Sequence, residues 1–122
     1  MRAGQRREED PTIIVDPVEI NAGAWYLRAL RADIRIDDRP ALAELGETDP
    51  DYVAHSAARW SSDAGYSWAV CQSTTGQLLA EVTLDPTTGE IGTRASDRHS
   101  AAAVAAAESV RRFGAAIGVI TG

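Results

Sequence analysis

Three consecutive residues near the end of the chain combine a cation, an imidazole and a hydroxyl. Arg98, His99 and Ser100 stand directly before a segment with helical periodicity. An arginine and a hydroxyl beside the start of a helix could bind a phosphate group, because the first backbone N–H groups of a helix carry partial positive charge. The ordinary alternative is a loop that caps a helix, with His99 as an exposed loop residue.

The charge distribution is compatible with anion binding in this region. The chain has 12 arginines, no lysine and 18 acidic residues, which gives a net charge of −6. Residues 94–122 contain four of the arginines and two acids, so this part has a net charge of +2. A positive region in an acidic protein suits a phosphate ligand, although four arginines could equally be solvated surface residues.

Two other residues with chemical potential are predicted to be structural. Cys71 alternates with Ser67 and Ala69 in a strand-like segment, which favours a small buried packing residue over a nucleophile. His55 falls within a predicted helix as a partly exposed residue. A single cysteine allows no internal disulfide, and two histidines argue against a zinc site, so no metal is expected.

Composition excludes several classes of protein. The chain has no run of the 18 apolar residues that a membrane span needs. Its charged start, Met1–Asp10, lacks the apolar centre of a signal peptide. An acidic chain without lysine is a poor general nucleic-acid binder, because such binding depends on phosphate neutralisation. We therefore expect a soluble cytoplasmic domain with no membrane or nucleic-acid partner.

The elements that would position the candidate residues begin with strands. Residues 1–11 are charged and have nothing to bury, so they predict a disordered tail before a domain over residues 12–122. Thr12–Val15 predicts a short edge strand, and Trp25–Arg31 predicts the first substantial strand.

Two helices are predicted next, over Asp37–Gly46 and Thr48–Gly65. Each segment has a polar start signal, an early proline and a final glycine. Apolar residues recur in the second segment at helical spacing, which predicts one buried stripe. The predicted stripe consists of Val53, Ala57, Trp60 and Ala64.

Alternating apolar residues in the middle of the chain predict three strands, at residues 66–72, 77–84 and 89–94. The turns between them are Ser73–Gly76 and Asp85–Gly89, which combine hydroxyl or carboxylate side chains with glycine. Turns this short require antiparallel neighbours. The sequence therefore predicts an antiparallel meander with flanking helices, which is an α+β fold.

From Ser96 the apolar spacing becomes helical again, and a helix is predicted from about Ala101 to Ala116. Gly118 ends this helix, and Val119–Ile120 would begin another strand. The predicted buried face of the helix consists of Val104, Ala107, Val110, Phe113 and Ile117.

This order of elements resembles the GCN5-related N-acetyltransferase (GNAT) family, in the branch similar to ribosomal-protein-alanine acetyltransferases. The resemblance implies a partial GNAT fold and direct transfer of an acetyl group from acetyl-CoA to a primary amine, whose identity it does not give. It also implies that backbone amides polarise the thioester carbonyl. The stretches that carry it are Asp16–Gly23, Trp25–Arg28, Leu30–Asp33, Asp37–Ala41, Tyr66–Val70, Thr75–Val82 and Gly89–Gly92.

The resemblance also implies which residues form the acetyl-CoA site. The strand with Ile91, Gly92 and Thr93 would hold the pantetheine arm through backbone groups. Glu90 stands where some enzymes of the family have a general base, although a solvent-facing strand residue is the ordinary alternative.

The pyrophosphate loop of the family has the form Gln/Arg-x-x-Gly-x-Gly/Ala and aligns here with Arg98-His-Ser-Ala-Ala-Ala103. Arg98 and Ala103 fit the first and last positions, and Ser100 lies between them. Ala101 replaces the central glycine, and His99 replaces another residue that is usually glycine. A Cβ atom at such positions hinders close approach of a phosphate, so the resemblance implies a degenerate loop.

Members of the family continue beyond this helix with a strand, another helix and a final hairpin. The chain is therefore expected to represent about the first two-thirds of such a domain, with weak or lost activity. Two alternatives stay open. One is a non-catalytic interaction domain that forms a homodimer through an open sheet edge, and the other is a non-functional fragment of a frameshifted gene.

Overall fold

Five antiparallel strands form the centre of the computed structural model, which describes residues 17–119. They lie in the sheet in chain order, so each strand pairs with its neighbours in sequence. The predicted tail (residues 1–11) and the predicted strand Thr12–Val15 lie outside the described residues. The strands are β1 (Ile20–Ala22), β2 (Trp25–Arg28), β3 (Tyr66–Gln72), β4 (Leu78–Leu84) and β5 (Ile91–Ala95).

Within residues 17–119, three α-helices cover the two faces of this sheet. α1 (Arg39–Glu44) and α2 (Tyr52–Ser62) connect β2 to β3. α1 and the first turn of α2 pack on one face, called the α1/α2 face below, whereas Trp60 near the end of α2 belongs to the core of the opposite face. A 3₁₀ turn, Asp97–His99, follows β5 and leads into α3 (Ser100–Ala116), which packs on the opposite α3 face. The predicted α+β class, with an antiparallel meander and flanking helices, is confirmed.

The meander is the part of the fold that the sequence predicted best. β3 has the predicted bounds, and β4 and β5 begin one and two residues later than predicted. The predicted strand Trp25–Arg31 instead ends at Arg28, because the N–H of Arg31 donates to the Asp38 carboxylate at 2.6 Å rather than to a strand. β1 was not predicted. Val119 lies outside any strand, and Ile120 lies outside the described residues.

The first two helices are shorter than predicted. Asp38 stands at the N-cap of α1, but its side chain makes no capping hydrogen bond. Its carboxylate accepts two hydrogen bonds from the Arg28 guanidinium instead, at 2.8 and 2.9 Å, and both side chains are buried. In α2 the buried residues are Val53, Ser56 and Trp60, so the predicted stripe was wrong at its alanine positions.

The α3 face holds the larger apolar core. Trp60 stacks on Tyr66 with ring centroids 4.5 Å apart, and Phe113 of α3 meets Trp68 edge-on at 5.5 Å. Such aromatic pairs add to the free energy gained from burying their surface. The residues of α3 buried against this face are small for the most part, namely Ala102, Ala103, Ala106, Ser109, Val110 and Gly114.

The predicted buried face of α3 was therefore wrong in part. Val104 and Ile117 are 66% and 45% exposed, whereas Ala106 is completely buried. The aromatic rings already fill the space above the sheet, so only small side chains allow the helix to approach it. Val110 is buried as predicted, and Phe113 packs at the border of the core.

Candidate functional site

β5 is the last strand of the sheet and carries three of the candidate cofactor residues. It pairs with β4 on one side, and within residues 17–119 no strand pairs with its other side. Ile91 and Thr93 point to the α3 face and Gly92 to the α1/α2 face, because side chains alternate along a strand. Ile91 is half-buried, whereas Gly92 and Thr93 are exposed. The backbone of this edge is therefore accessible.

A shallow groove runs between this edge and α3. Its volume is about 280 Å³. The groove lies on the α3 face beside Thr93, where α3 presents small and charged side chains. It is lined by Thr93, Ala103, Val104, Ala107, Glu108 and Arg111.

The segment between β5 and α3 is a closed turn. The N–H of His99 donates to the carbonyl of Ser96 at 2.9 Å, and the N–H of Ser100 donates to the carbonyl of Asp97. Every residue from Thr93 to Ala103 is described, and none of them has positive φ. Anion-binding nests need successive N–H groups that are free to converge, commonly through a left-handed residue. The turn therefore does not form an open cradle for a pyrophosphate.

The candidate residues of this turn point in different directions. Arg98 and His99 line a cleft of about 640 Å³ that lies between the turn, the α1 region and the β3–β4 turn. Ser100 and Ala101 are exposed at the start of α3. Ala103 is buried and is part of the core on the α3 face. The structure therefore does not gather Arg98, Ser100, Ala101 and Ala103 around one point.

Glu90 lies one residue before β5 rather than within the strand. Its carbonyl accepts the N–H of Asp85 at 2.9 Å, which closes the β4–β5 hairpin. Its side chain is exposed and lines a cleft of about 370 Å³ together with Arg59 and Gly92. Glu90 is thus close in sequence to the β5 edge and open to solvent.

Sequence reasoning missed a buried ionic network on the α1/α2 face. Glu81 in the middle of β4 is 1% exposed. Its carboxylate accepts hydrogen bonds from Arg94 Nε at 2.8 Å and from the hydroxyl of Tyr52. Arg94 also donates to Glu47 at 3.1 Å, so the network joins β4 and β5 to the start of α2.

This network raises the pKa values of Tyr52 and Arg94. Burial raises the pKa of Tyr52 to about 12, and the hydrogen bond to Glu81 and its charge act in the same direction. Burial opposes the charged form of Arg94, but the charge of Glu81 and its hydrogen bond keep the arginine pKa above its ordinary value. The network beside Gly92 is therefore a neutral phenol next to a compensated ion pair.

A signal for this network was present in the sequence. The turn between β4 and β5 sets their register, and this register places Arg94 opposite Glu81. Opposite charges at directly paired positions predict a cross-strand ion pair. Its burial was not foreseeable, because it depends on α2 covering this part of the sheet.

The two residues predicted to be structural have the predicted environments. Cys71 is completely buried, and burial raises the pKa of its thiol to about 11. His55 is exposed on α2. Among the described residues, no group of three or more histidine, cysteine, aspartate or glutamate side chains could hold a metal ion. No helix over residues 17–119 is long and apolar enough to cross a membrane.

Comparisons with known proteins return no relative. No protein family, curated protein or solved structure matches this chain. These comparisons therefore identify no family for the chain.

Proposed function

We propose that this chain is a GNAT-like domain, acting in the cytoplasm, that transfers an acetyl group from acetyl-CoA to a primary amine and binds acetyl-CoA weakly. The observation that carries the proposal is the arrangement around β5. This edge strand passes through Ser96 and a 3₁₀ turn into α3, and α3 lies on the opposite side of the sheet from α1 and the start of α2. Together with the element order, this arrangement supports the expected fold.

The β5 edge fits the pantetheine arm of acetyl-CoA. An extended amide-containing chain can hydrogen-bond to the free edge of a strand, and Ile91, Gly92 and Thr93 offer such backbone groups. Glu90, exposed one residue before the same strand, is the residue proposed to accept the proton of the amine.

The turn before α3 does not fit the pyrophosphate of acetyl-CoA equally well. The N–H groups of His99 and Ser100 already donate within the turn, and Ala101 carries a Cβ atom where the family has glycine. Arg98 and the Ser100 hydroxyl supply charge and one polar contact. We therefore expect weak binding, with a dissociation constant on the order of 1 mM.

Calorimetric titration with acetyl-CoA tests this proposal. Arg98→Ala is expected to weaken binding, because it removes the cation of the turn. Arg112→Ala is the matched control, since this exposed arginine contacts only its own helix, through a 3.5 Å ion pair with Glu108 and a 3.2 Å hydrogen bond to the Ser109 hydroxyl. The double substitution His99→Gly and Ala101→Gly is expected to tighten binding by about tenfold, because it allows close approach of the backbone. If neither the wild type nor the double glycine variant gives any heat of binding at millimolar acetyl-CoA, the proposal is refuted.

A second candidate is a non-catalytic domain that forms a homodimer through β5. The specific observation is the accessible outer edge of this strand, which has no strand partner within residues 17–119. Light scattering would then give twice the mass of 13.0 kDa. Thr93→Lys is expected to abolish the dimer, and Thr87→Lys in the β4–β5 turn adds the same charge away from the edge. A monomer at all concentrations excludes this candidate.

A further inference from the structure

The cleft beside α1 is the largest of the cavities described above, at about 640 Å³. Three separate segments form its walls: residues 35–45 with α1, the β3–β4 turn with the start of β4 (residues 75–79), and the turn after β5 (residues 96–99). These segments are far apart in sequence. The cleft is therefore a product of the fold, and its volume lies in the range of small-molecule pockets, about 300–1,000 Å³.

Two arginines that pair with no carboxylate of residues 17–119 line this cleft. Nine arginines lie within residues 17–119, and five of them form ion pairs with carboxylates there. Arg35 and Arg98 form no ion pair within the described part of the chain, and they line the cleft from two different segments, the loop before α1 and the turn after β5. Arginine is the residue best suited to bind phosphate, because its planar guanidinium can donate two parallel hydrogen bonds.

Most carboxylates of the cleft wall are already neutralised. Asp38 is bound by the buried Arg28, and Asp37 pairs with Arg39 at 2.8 Å. Glu44 is the remaining acid on the wall and has no ion-pair partner among the described residues. The two arginines therefore outnumber the uncompensated acids, so the local charge favours an anion.

Neutral groups complete the lining. The hydroxyl of Thr75, the amide of Gln77 and the imidazole of His99 are polar groups on the same walls. Leu45 and Leu78 add apolar surface. A cleft with cations, neutral hydrogen-bonding groups and an apolar part suits a ligand that has both phosphates and an organic body.

We propose that this cleft binds the phosphate groups of a nucleotide-sized ligand, held by Arg35 and Arg98. The proposal goes beyond acetyl transfer, because Arg35 and the α1 wall have no role in it. Two sources carry the required chemistry, a free nucleotide and the phosphate-bearing end of an acyl-CoA. In either case Arg35 is the residue that distinguishes this cleft from the β5 edge and the start of α3.

The test is calorimetric titration of the full chain with ADP. Arg35→Ala and Arg98→Ala are each expected to weaken ADP binding by about tenfold, the effect of losing a charge-assisted hydrogen bond. Glu44→Gln is expected to tighten binding by about two- to threefold, because it removes a repelling charge at moderate distance. Arg112→Ala, outside the cleft, is expected to leave the affinity unchanged. All four side chains are exposed, so melting temperatures should confirm that every variant folds.

The outcomes separate this inference from the proposed function. No saturable ADP binding at millimolar concentration, or equal binding by wild type and Arg35→Ala, overturns the cleft proposal. ADP binding that depends on Arg35, together with no acetyl-CoA binding or acetyl transfer, supports the cleft, identifies a free nucleotide as the source and overturns the acetyltransferase. If acetyl-CoA competes with ADP and its own affinity also falls in Arg35→Ala, the acyl-CoA is the source and the cleft is supported.

Discussion

The two faces of the sheet are stabilised in different ways. The α3 face is apolar, and there the aromatic side chains of the sheet meet alanines of α3. The α1/α2 face contains charged side chains among its apolar residues, with Arg28 and Glu81 in register on β2 and β4 with Ala69 between them. Both charged residues are at most 5% exposed. Stability therefore depends on shape on one face and on the completeness of individual ion pairs on the other.

Two neighbouring aspartates provide the strongest test of the charged face. Asp38 is buried, accepts two hydrogen bonds from Arg28 and also accepts the N–H of Arg31. Asp38→Ala should lower the free energy of unfolding by about 3–5 kcal/mol, because Arg28 then stays buried without its counter-charge. Urea denaturation measures this loss.

Asp37→Ala is the matched control. Asp37 also pairs with an arginine, Arg39, but both side chains are at least 39% exposed. Exposed pairs contribute about 0–1 kcal/mol, so the control should stay close to wild type. Equal losses in the two variants would contradict the comparison of the faces, since burial would then not decide the value of an ion pair.

A larger side chain at one buried alanine tests the apolar face. Ala106 is completely buried between α3 and the sheet. Ala106→Leu should lower the free energy of unfolding by about 1–3 kcal/mol, because the close-packed rings leave no space for the larger side chain. Val104→Leu, two residues earlier and 66% exposed, should change it by less than about 0.5 kcal/mol. A larger loss at Val104 than at Ala106 would mean that α3 is rotated toward the face predicted from sequence.

The same contrast explains how much of the fold could be predicted. The meander follows from the alternation of apolar residues and from turn chemistry, which are local signals. The bounds of β3 to β5 were therefore predicted to within two residues. The buried face of α3 did not follow, because a helix rich in alanine has apolar residues on several sides. Only the aromatic rings of the sheet decide which side packs against it, and Val104 and Ile117 were consequently assigned to the wrong side.

The candidate site was predictable to a smaller extent. The position of Ile91 to Thr93 on an outer strand follows from the order of elements. The direction of Arg98 does not, because it depends on a 3₁₀ turn and on where α1 packs. The burial of Glu81 does not follow from the sequence either, because the helix that buries it is far away in sequence.

Titration of the tyrosines compares the two faces without changing either core. Tyr66 belongs to the α3 face, and burial raises its pKa to about 12, with added effect from its hydrogen bond to Asp63. On the α1/α2 face, burial raises the pKa of Tyr52 to about 12, and Glu81 acts in the same direction. Burial also raises the pKa of Tyr26, with Glu19 acting in the same direction. The folded protein should therefore keep Tyr52 and Tyr66 protonated at pH 10, where tyrosines of the unfolded chain are half ionised.

The consequence for stability has a definite sign. A folded-state pKa above the unfolded value means that the unfolded state loses protons first as the pH rises. The contribution of Tyr52 and Tyr66 is complete below pH 10 and is lost between pH 10 and about 12, so the urea midpoint should fall across this interval. Phenolate absorbance assigns the two groups, since Tyr66→Phe and Tyr52→Phe should each remove one ionisation near pH 12. If the tyrosines of the folded protein are half ionised at pH 10, neither face shields its phenol from water. The proposed difference between the faces would then lose its electrostatic basis.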